Sequence, residues 1–486
     1  MADGLLPRER LAGHLERPLG RGHAPDGSCT GAAGGTACGD LIRLSLAIDP
    51  HSPEGRIRDA GFDASGCGTL VAAGSAAVSL LRGAPLLDAA RIGADTIARE
   101  LGGLGVAKRH AAELAADALH RALGAAARAQ AALAMREGRT LIAMSGGVDS
   151  AVAALLVARE GVQTVGVTLE LWSDPANDGD VSCCSAEAVR RARGLAHSLG
   201  MPHLSIDLRA EFRAGVVEHW LADHAAGLTP NPCVRCNGSV RLDAMLELGE
   251  RLGARTLATG HYARVREGPL LRVAADEGRD QSYVLAALAA ASLARLRFPL
   301  GHMRKPQVRA LAREAGLAVA GRRDSQDLCF LAGTRQADFL ARHGGLRHRP
   351  GAILDGHGSR LGEHLGAHLF TTGQRRGLGI GGGEPMYVLT TDARANTVTV
   401  GPRGGLLART VAVRDLTLHR HASCVDGVRL RAHGRTHRCH LTQGLDAGRH
   451  PRARVELAEP VERTAPGQLA CLYAADVVVG HGTVAV

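Results

Sequence analysis

Three thiols and one glycine pair carry the reactive content of the sequence. Cys233 and Cys236 form a CxxC in LTPNPCVRCNGSVRLDAML, a turn leading into a helix, where thiolate reactivity rises. Cys329 stands far downstream in RRDSQDLCFLAG, in a short loop after a helical stretch. A structural zinc site would need a second CxxC, and the adjacent Cys183 and Cys184 have poor spacing for one. The glycine pair lies in SGGVDS, Ser145 to Ser150, after the apolar run TLIAM and before the helical run SAVAALLVAREG. At such a junction backbone N–H groups and the helix dipole converge on a point where an anion can sit. The glycines let phosphate approach the backbone, and Asp149 could hold a magnesium ion. A Walker loop needs a lysine after its last glycine, and none follows here.

These residues need elements to position them. From Arg139 strand-like and helical runs alternate through VQTVGVTLEL, AEAVRRARGLAHSLG and HLSIDL, which implies a parallel sheet with helices on its faces. Before it, LIRLSLAID and RIRDAGFD read as two strands joined by a PHSPEG turn, followed by alanine-rich helices. After Gly344 short β-rich runs with glycine turns take over. The expected organisation is a flexible leader (1–24), an α+β domain (25–127), a linker (128–138), an α/β catalytic domain of Rossmann-like type (139–343), a small central domain (344–408) and a C-terminal β-barrel (409–486). Gly377, Gly379 and Gly382 fit GxGxxG, but the strand-like EPMYVLTTD follows in place of a helix, so this stretch reads as a loop.

The chain has 486 residues and a formal charge of +10, and of its 58 cationic residues all but Lys108 and Lys305 are arginine. That balance suits a polyanionic partner, and arginine-biased codon usage would give the same count; both readings stay open. From Arg409 onward there are 11 arginines against 7 acids. The charged N-terminus lacks a signal-peptide core and no apolar run reaches membrane-spanning length, so a soluble cytoplasmic protein without membrane contact is expected. Eleven cysteines in such a compartment point to redox, sulfur or metal chemistry.

SGGVDS resembles the loop of the PP-loop pyrophosphatases, which bind ATP and release pyrophosphate on adenylating a carbonyl-type oxygen. With GVTLELW, ATGHYARV, RDQSYVLAAL, RKPQVRALAREAGL, TTGQRRGLGIGGGEPMYV and EPVERTAPGQLACLY, the chain from about Arg139 onward resembles the bacterial tRNA-specific 2-thiouridylases of the MnmA type. The resemblance implies a PP-loop domain, a central domain and a β-barrel, with ATP and Mg2+ as cofactors and tRNA as partner. It further implies that Ala143, Met144, Ser145, Gly146, Gly147, Val148, Asp149 and Ser150, with Leu169 and Gly260, bind ATP. Asn231, Pro232 and Cys233 would meet the target base; Arg279, Asp280, Gln281, Arg431 and Ala432 would touch the tRNA. Cys236 would be the nucleophile and Cys329 the persulfide carrier, the two closing a disulfide on sulfur release. Cys233 stands where many members of that family have Asp. Three thiolates in place of two could hold a [4Fe-4S] cluster, and the persulfide and cluster accounts both stay open.

TACGDLIRLSLAI and DASGCGTLVAAGSAAVSLLRG resemble the iron-sulfur scaffold domains of the IscU/NifU N-terminal type. Cys38, Asp40 and Cys67 match that family's cluster positions, and His110 is followed by Ala111 where the family has cysteine. The resemblance implies a metal or sulfur site at Cys38, Asp40, Cys67 and His110, served by a cysteine desulfurase or another sulfur donor. The leading expectation is an ATP-dependent tRNA sulfurtransferase with a fused sulfur-handling domain. The alternative is an iron-sulfur or sulfur carrier whose PP-loop half is regulatory. An amidating PP-loop enzyme akin to GMP synthetase would need an ammonia source, and no glutaminase signature appears.

Overall fold

The computed structural model describes residues 7–34, 39–174, 185–266, 268–322, 328–331, 333–381 and 384–486. Cys38, Cys183, Cys184 and Gly382 lie outside the described residues.

The N-terminal domain is an antiparallel sheet in the order β1 (Cys29–Gly34), β2 (Leu41–Ile48), β3 (Ile57–Ser65). The helices Gly68–Leu81 and Arg109–Ala129 pack on it. β2 and β3 are the strands that alternation predicts; β1, CTGAAG, carries no such signal. Ala111, Ala115, Ala118, Ala122 and Ala126 of the long helix are all fully buried, and their small size lets the helix lie close on the sheet. Residues 7–24, expected as a mobile leader, are folded onto this domain. Pro7–Glu16 is helical, Leu11 packs on the core, and the buried Ser75 hydroxyl meets His14 Nδ1 at 2.8 Å and the Leu19 N–H at 2.9 Å. The correction has a plain cause: Ser75 is a buried polar group that requires partners.

In the catalytic domain β4 (Thr140–Ala143), β5 (Thr164–Glu170), β6 (His203–Asp207), β7 (Thr256–Ala258) and, after the hairpin β8 (Arg264–Arg266) and β9 (Leu270–Arg272), β10 (Leu296–Arg297) are laid down in turn. The parallel sheet runs β10-β7-β4-β5-β6. All seven residues of β5 are buried, as a strand covered on both faces requires. The chain reverses direction across the sheet at β4, so the crevice beyond its C-terminal end is where such folds bind ligands.

The central domain is a four-stranded sheet of β11 (Gly351–Leu354), β12 (Arg360–His364), β13 (Tyr387–Asp392) and β14 (Thr397–Gly401), around Ile353, Val388, Val398 and Val400. Gly377 and Gly379 lie in an irregular stretch before it closes. The last six strands are β15 (Leu407–Leu418), β16 (Gly427–Arg429), β17 (His437–Leu441), β18 (Gly448–Glu462), β19 (Leu469–Ala474) and β20 (Val477–Val484). They close into a barrel through the pairing of β15 with β20. The catalytic hairpin joins the barrel sheet where Arg272 pairs with Val477.

The alanine-rich helix Arg109–Ala129 is itself the interface with the catalytic domain. Arg121 donates from Nε and Nη2 to the buried Glu170 carboxylate at 3.1 and 3.0 Å, and from Nη1 to the Ala32 carbonyl at 2.7 Å. Asp117 takes Arg190 and Arg193, each at 2.6 Å. A Cβ on Gly124 would stand 1.9 Å from the Ser205 carbonyl oxygen, so only glycine allows this approach. Residues 128–138, expected as a linker, begin inside that helix and continue as a fastened strap. Within it, Leu133, Ala134 and Arg136 give their N–H groups to the carbonyls of Arg251, Pro53 and Gly253.

Candidate active site

β4 ends at Ala143, and the helix Val148–Arg159 starts immediately after Gly147. Between them the Ser150 hydroxyl donates to the Gly147 carbonyl at 3.0 Å and accepts from the Ser145 N–H at 3.1 Å, which fixes the loop's curvature. Gly146 has a φ of +71°, and a Cβ on it would stand 2.8 Å from the Ala188 carbonyl oxygen. Gly260 lies against the same loop; a Cβ there would meet the Asp149 carbonyl carbon and the Ser150 nitrogen at 2.8 Å. The Thr168 hydroxyl donates to the Met144 carbonyl at 2.8 Å and accepts from His203 Nε2 at 2.8 Å, pinning the loop to β5 and β6.

Asp149, the residue expected to hold magnesium, is paired with two side chains from distant segments. Lys305 Nζ lies 2.8 Å from both of its carboxylate oxygens, and Tyr262 donates its hydroxyl to Oδ1 at 2.8 Å. Neither partner was singled out from sequence. The available signal was that Lys305 is one of two lysines among 58 cationic residues, where a compact ammonium was kept over a planar guanidinium.

A cavity of about 170 Å³ opens beside the loop. Ala143, Met144 and Ser145 form one wall, Leu169 and Leu171 a second, and Pro232, Cys233, Cys236 and Cys329 a third. Asn231 caps the thiol-bearing helix, its Oδ1 accepting from the Cys233 N–H at 3.0 Å. The helix starts at Pro232, widens over Cys236–Leu242 into the looser i to i+5 pattern often found at functional sites, and continues through Asp243–Arg251. Asn237 and Arg241 of the widened turn also line the cavity, and the Asn237 Oδ1 is buried with no hydrogen-bond partner among the described residues.

Cys329 is placed by the aromatic cluster behind it. Phe330 is buried against Trp220 and Phe339 at ring distances of 5.2 Å, with Trp172 and Phe212 beyond. Both tryptophans and three of the six phenylalanines of an aromatic-poor chain are spent at this one place.

Of the residues expected at tRNA, Arg279 and Arg431 are exposed, and Ala432 is half-buried beside Arg431. Asp280 and Gln281 are occupied internally. The Asp280 side chain is fully buried and accepts from the Ala274 N–H at 2.9 Å, the Ser282 hydroxyl at 2.6 Å and Arg429 Nη1 at 2.6 Å. Gln281 Oε1 accepts from the Tyr262 N–H at 2.9 Å. These two clasp the catalytic domain to the barrel and to the Asp149 partner.

In the N-terminal domain Asp40, Cys67 and His110 offer ligand atoms that all lie within 4.8 Å of one another. Burial by itself would raise the Asp40 carboxyl. Bonds from the Cys67 N–H and thiol at 3.0 and 3.4 Å and from His110 at 3.3 Å outweigh that and hold it below its ordinary range. Thiolate, carboxylate and imidazole suit zinc or a similar borderline ion. An iron-sulfur cluster prefers several thiolates, and the described residues here supply one.

A glycine loop at the switch point of a parallel sheet, facing paired thiols, defines a nucleotide-binding sulfur enzyme, here built onto a scaffold-type domain. Residues 8–132 match the NifU-like N terminal domain, 138–333 the tRNA methyl transferase HUP domain, 337–402 the tRNA methyl transferase PRC-barrel domain and 413–484 the aminomethyltransferase beta-barrel domain. The chain is 41% identical over 489 residues to the bifunctional protein NifU/MnmA of Rubrobacter xylanophilus, covering 98% of each. It is 42% identical over 363 residues to the tRNA-specific 2-thiouridylase MnmA of Methylorubrum extorquens, covering 72% of this chain and 94% of the relative. The chain belongs to the MnmA family of tRNA-specific 2-thiouridylases, in the form fused to a NifU-like domain. Among the described residues no helix is long and apolar enough to cross a membrane.

Proposed function

We propose that this enzyme replaces the 2-oxygen of the wobble uridine of tRNA with sulfur at the expense of ATP, and that its N-terminal domain handles the incoming sulfur. The observation that carries the reading is that Ser145, where the glycine loop begins, and the thiols Cys236 and Cys329 border one cavity.

ATP supplies the adenylate that turns a poor leaving oxygen into a good one. The loop N–H groups and the helix Val148–Arg159 receive its phosphates, and Lys305, held by Asp149, adds a fixed cation at the same place. Pro232 and Cys233 of the cavity wall, with Asn231 capping their helix, meet the entering base, and exposed Arg279 and Arg431 hold the tRNA backbone beside Ala432. Cys329 carries the sulfane sulfur, which attacks C2 of the base as the AMP oxygen leaves. Cys236 then attacks the Cys329 sulfur, the persulfide bond breaks toward the base, and a Cys236–Cys329 disulfide remains for an external thiol to reopen. Among the described residues only Asp40, Cys67 and His110 are gathered at single-ion spacing. In this reading Cys236 and Cys329 act in turn, in preference to three thiolates holding one cluster. The sulfur donor is a cysteine desulfurase or another persulfide source acting on the Cys67 site.

Mass spectrometry of tRNA from a strain lacking the gene tests the function. Loss of 2-thiouridine at the wobble position is expected, and an unchanged level would overturn the proposal.

A further inference from the structure

The fused helix fixes where the two sulfur-handling sites stand relative to each other. His120 Nδ1 lies 2.9 Å from the His203 carbonyl, the Gly124 backbone lies against the Ser205 carbonyl, and Arg128 Nη1 lies 2.7 Å from the Asp207 carbonyl. Eight helical residues rise about 12 Å and four strand residues about 13 Å, so the helix Arg109–Ala129 marches alongside β6 in the same direction. All strands of that sheet point toward the nucleotide loop, and Leu169 of the cavity wall is level with Ile206. His110 lies ten residues before His120, about 15 Å behind the opposite edge of the sheet. Measured along the helix, the Asp40–Cys67–His110 group is about 24 Å from the level of Leu169.

Among the described residues the junction offers no swinging arm to cross that distance. The Arg121–Glu170 and Asp117–Arg193 pairs, the Gly124 approach and the strap at Leu133, Ala134 and Arg136 hold the domains together. Cys67 instead faces outward. It is exposed, and exposed Leu41 and Val106 flank its group in sequence, beside Asp40 and just ahead of His110. Leu15, also exposed, lies next to Gly68. An apolar rim of this kind suits contact with another protein surface.

We propose that sulfur held at Cys67 reaches Cys329 only between molecules, from one copy of this chain to the cavity of a second copy, and that the fusion does not channel sulfur along one chain. This rests on the sulfur-relay role given above to the N-terminal domain. In the step, the Cys329 thiolate of the second copy attacks the outer sulfur of a Cys67 persulfide. The new S–S bond forms at Cys329, the old one breaks, and Cys67 leaves as a thiolate and takes a proton from water. Sulfane sulfur is passed on at constant oxidation level, so no oxidant is needed.

The test uses full-length protein loaded with ³⁵S sulfane sulfur from glutathione persulfide and desalted, with Cys67→Ser/Cys329→Ser as the loading background. Loaded Cys329→Ser is mixed with unlabelled, size-tagged Cys67→Ser, and label on the tagged chain is followed. Transfer to the tagged chain is expected, and in loaded wild type a tenfold dilution should slow arrival of label at the Cys329 peptide tenfold. Arrival at a rate independent of concentration, or no arrival at any concentration, overturns the proposal. No tRNA is present, so failure of 2-thiouridine formation in a parallel reaction would count against the proposed function and leave this result to stand by itself.

Discussion

Lys305 Nζ stands 2.8 Å from each carboxylate oxygen of Asp149, 156 positions away in sequence, and places a fixed cation at the mouth of the SGGVDS loop. Removing the ammonium would leave the Asp149 charge balanced only by the Tyr262 hydroxyl, beside the place where phosphate must bind. Lys305→Ala is therefore expected to cut pyrophosphate release by on the order of 10² to 10³, as loss of one preorganised electrostatic group does. Lys305→Arg should recover only part, because a larger planar guanidinium would pair with both Asp149 oxygens but not place its charge where the compact ammonium does. Steady-state kinetics with varied ATP checks this, and a change below about threefold would refute the role.

Cys236 and Cys329 face one cavity from different elements, one on a widened helix and one in front of an aromatic cluster. Cys236→Ala and Cys329→Ala are each expected to abolish thiolation while ATP binding, measured by calorimetry, survives. Retained thiolation in either variant would remove that thiol from the mechanism.

The domain junction gives a prediction whose sign runs against helix propensity. Replacing glycine by alanine inside a helix normally stabilises by up to about 1 kcal/mol. At Gly124 the new Cβ would stand 1.9 Å from the Ser205 carbonyl oxygen, and overpacking costs about 1 to 3 kcal/mol. Gly124→Ala should lower the melting temperature of the full chain and expose residues 130–138 to proteolysis. A raised melting temperature would contradict the tight docking described above.

His120 and His203 are fully buried at the same junction, and burial, with the Arg193 charge adding to it, holds both well below the ordinary histidine range. In the unfolded chain these rings take up protons near pH 6.5, while in the fold they stay neutral. The unfolded state then binds more protons below that pH, so stability rises with pH there and is lost as pH falls under about 6.5. Thermal melts at pH 5 and pH 7.5 should show the lower value in acid, and His120→Gln should flatten the slope. An equal melting temperature at both would show that the rings are not held neutral.

What could be read from sequence was whatever lay within a short window. SGGVDS between an apolar strand and a helix, the CxxC turn, and the β2–β3 hairpin each carry their signal in about a dozen residues. What could not be read depended on distant pairs or on unpatterned strands. β1 is CTGAAG, with no alternation to mark it. Lys305 meets Asp149, and Arg121 meets Glu170, only after the sheet has folded. The leader looked mobile because its sequence is polar, yet Ser75 holds it at one buried hydroxyl. The resemblance implies tRNA contacts for Asp280 and Gln281, whereas Asp280 is buried against Arg429 of the barrel and Gln281 accepts from the Tyr262 N–H.

The central claim is that activation of the base by ATP precedes sulfur transfer at the shared cavity. The most direct check is the ratio of pyrophosphate released to 2-thiouridine formed by the purified full chain with tRNA transcript, ATP and a persulfide donor. One pyrophosphate per thiolated uridine is predicted; thiolated product with no pyrophosphate would contradict the account.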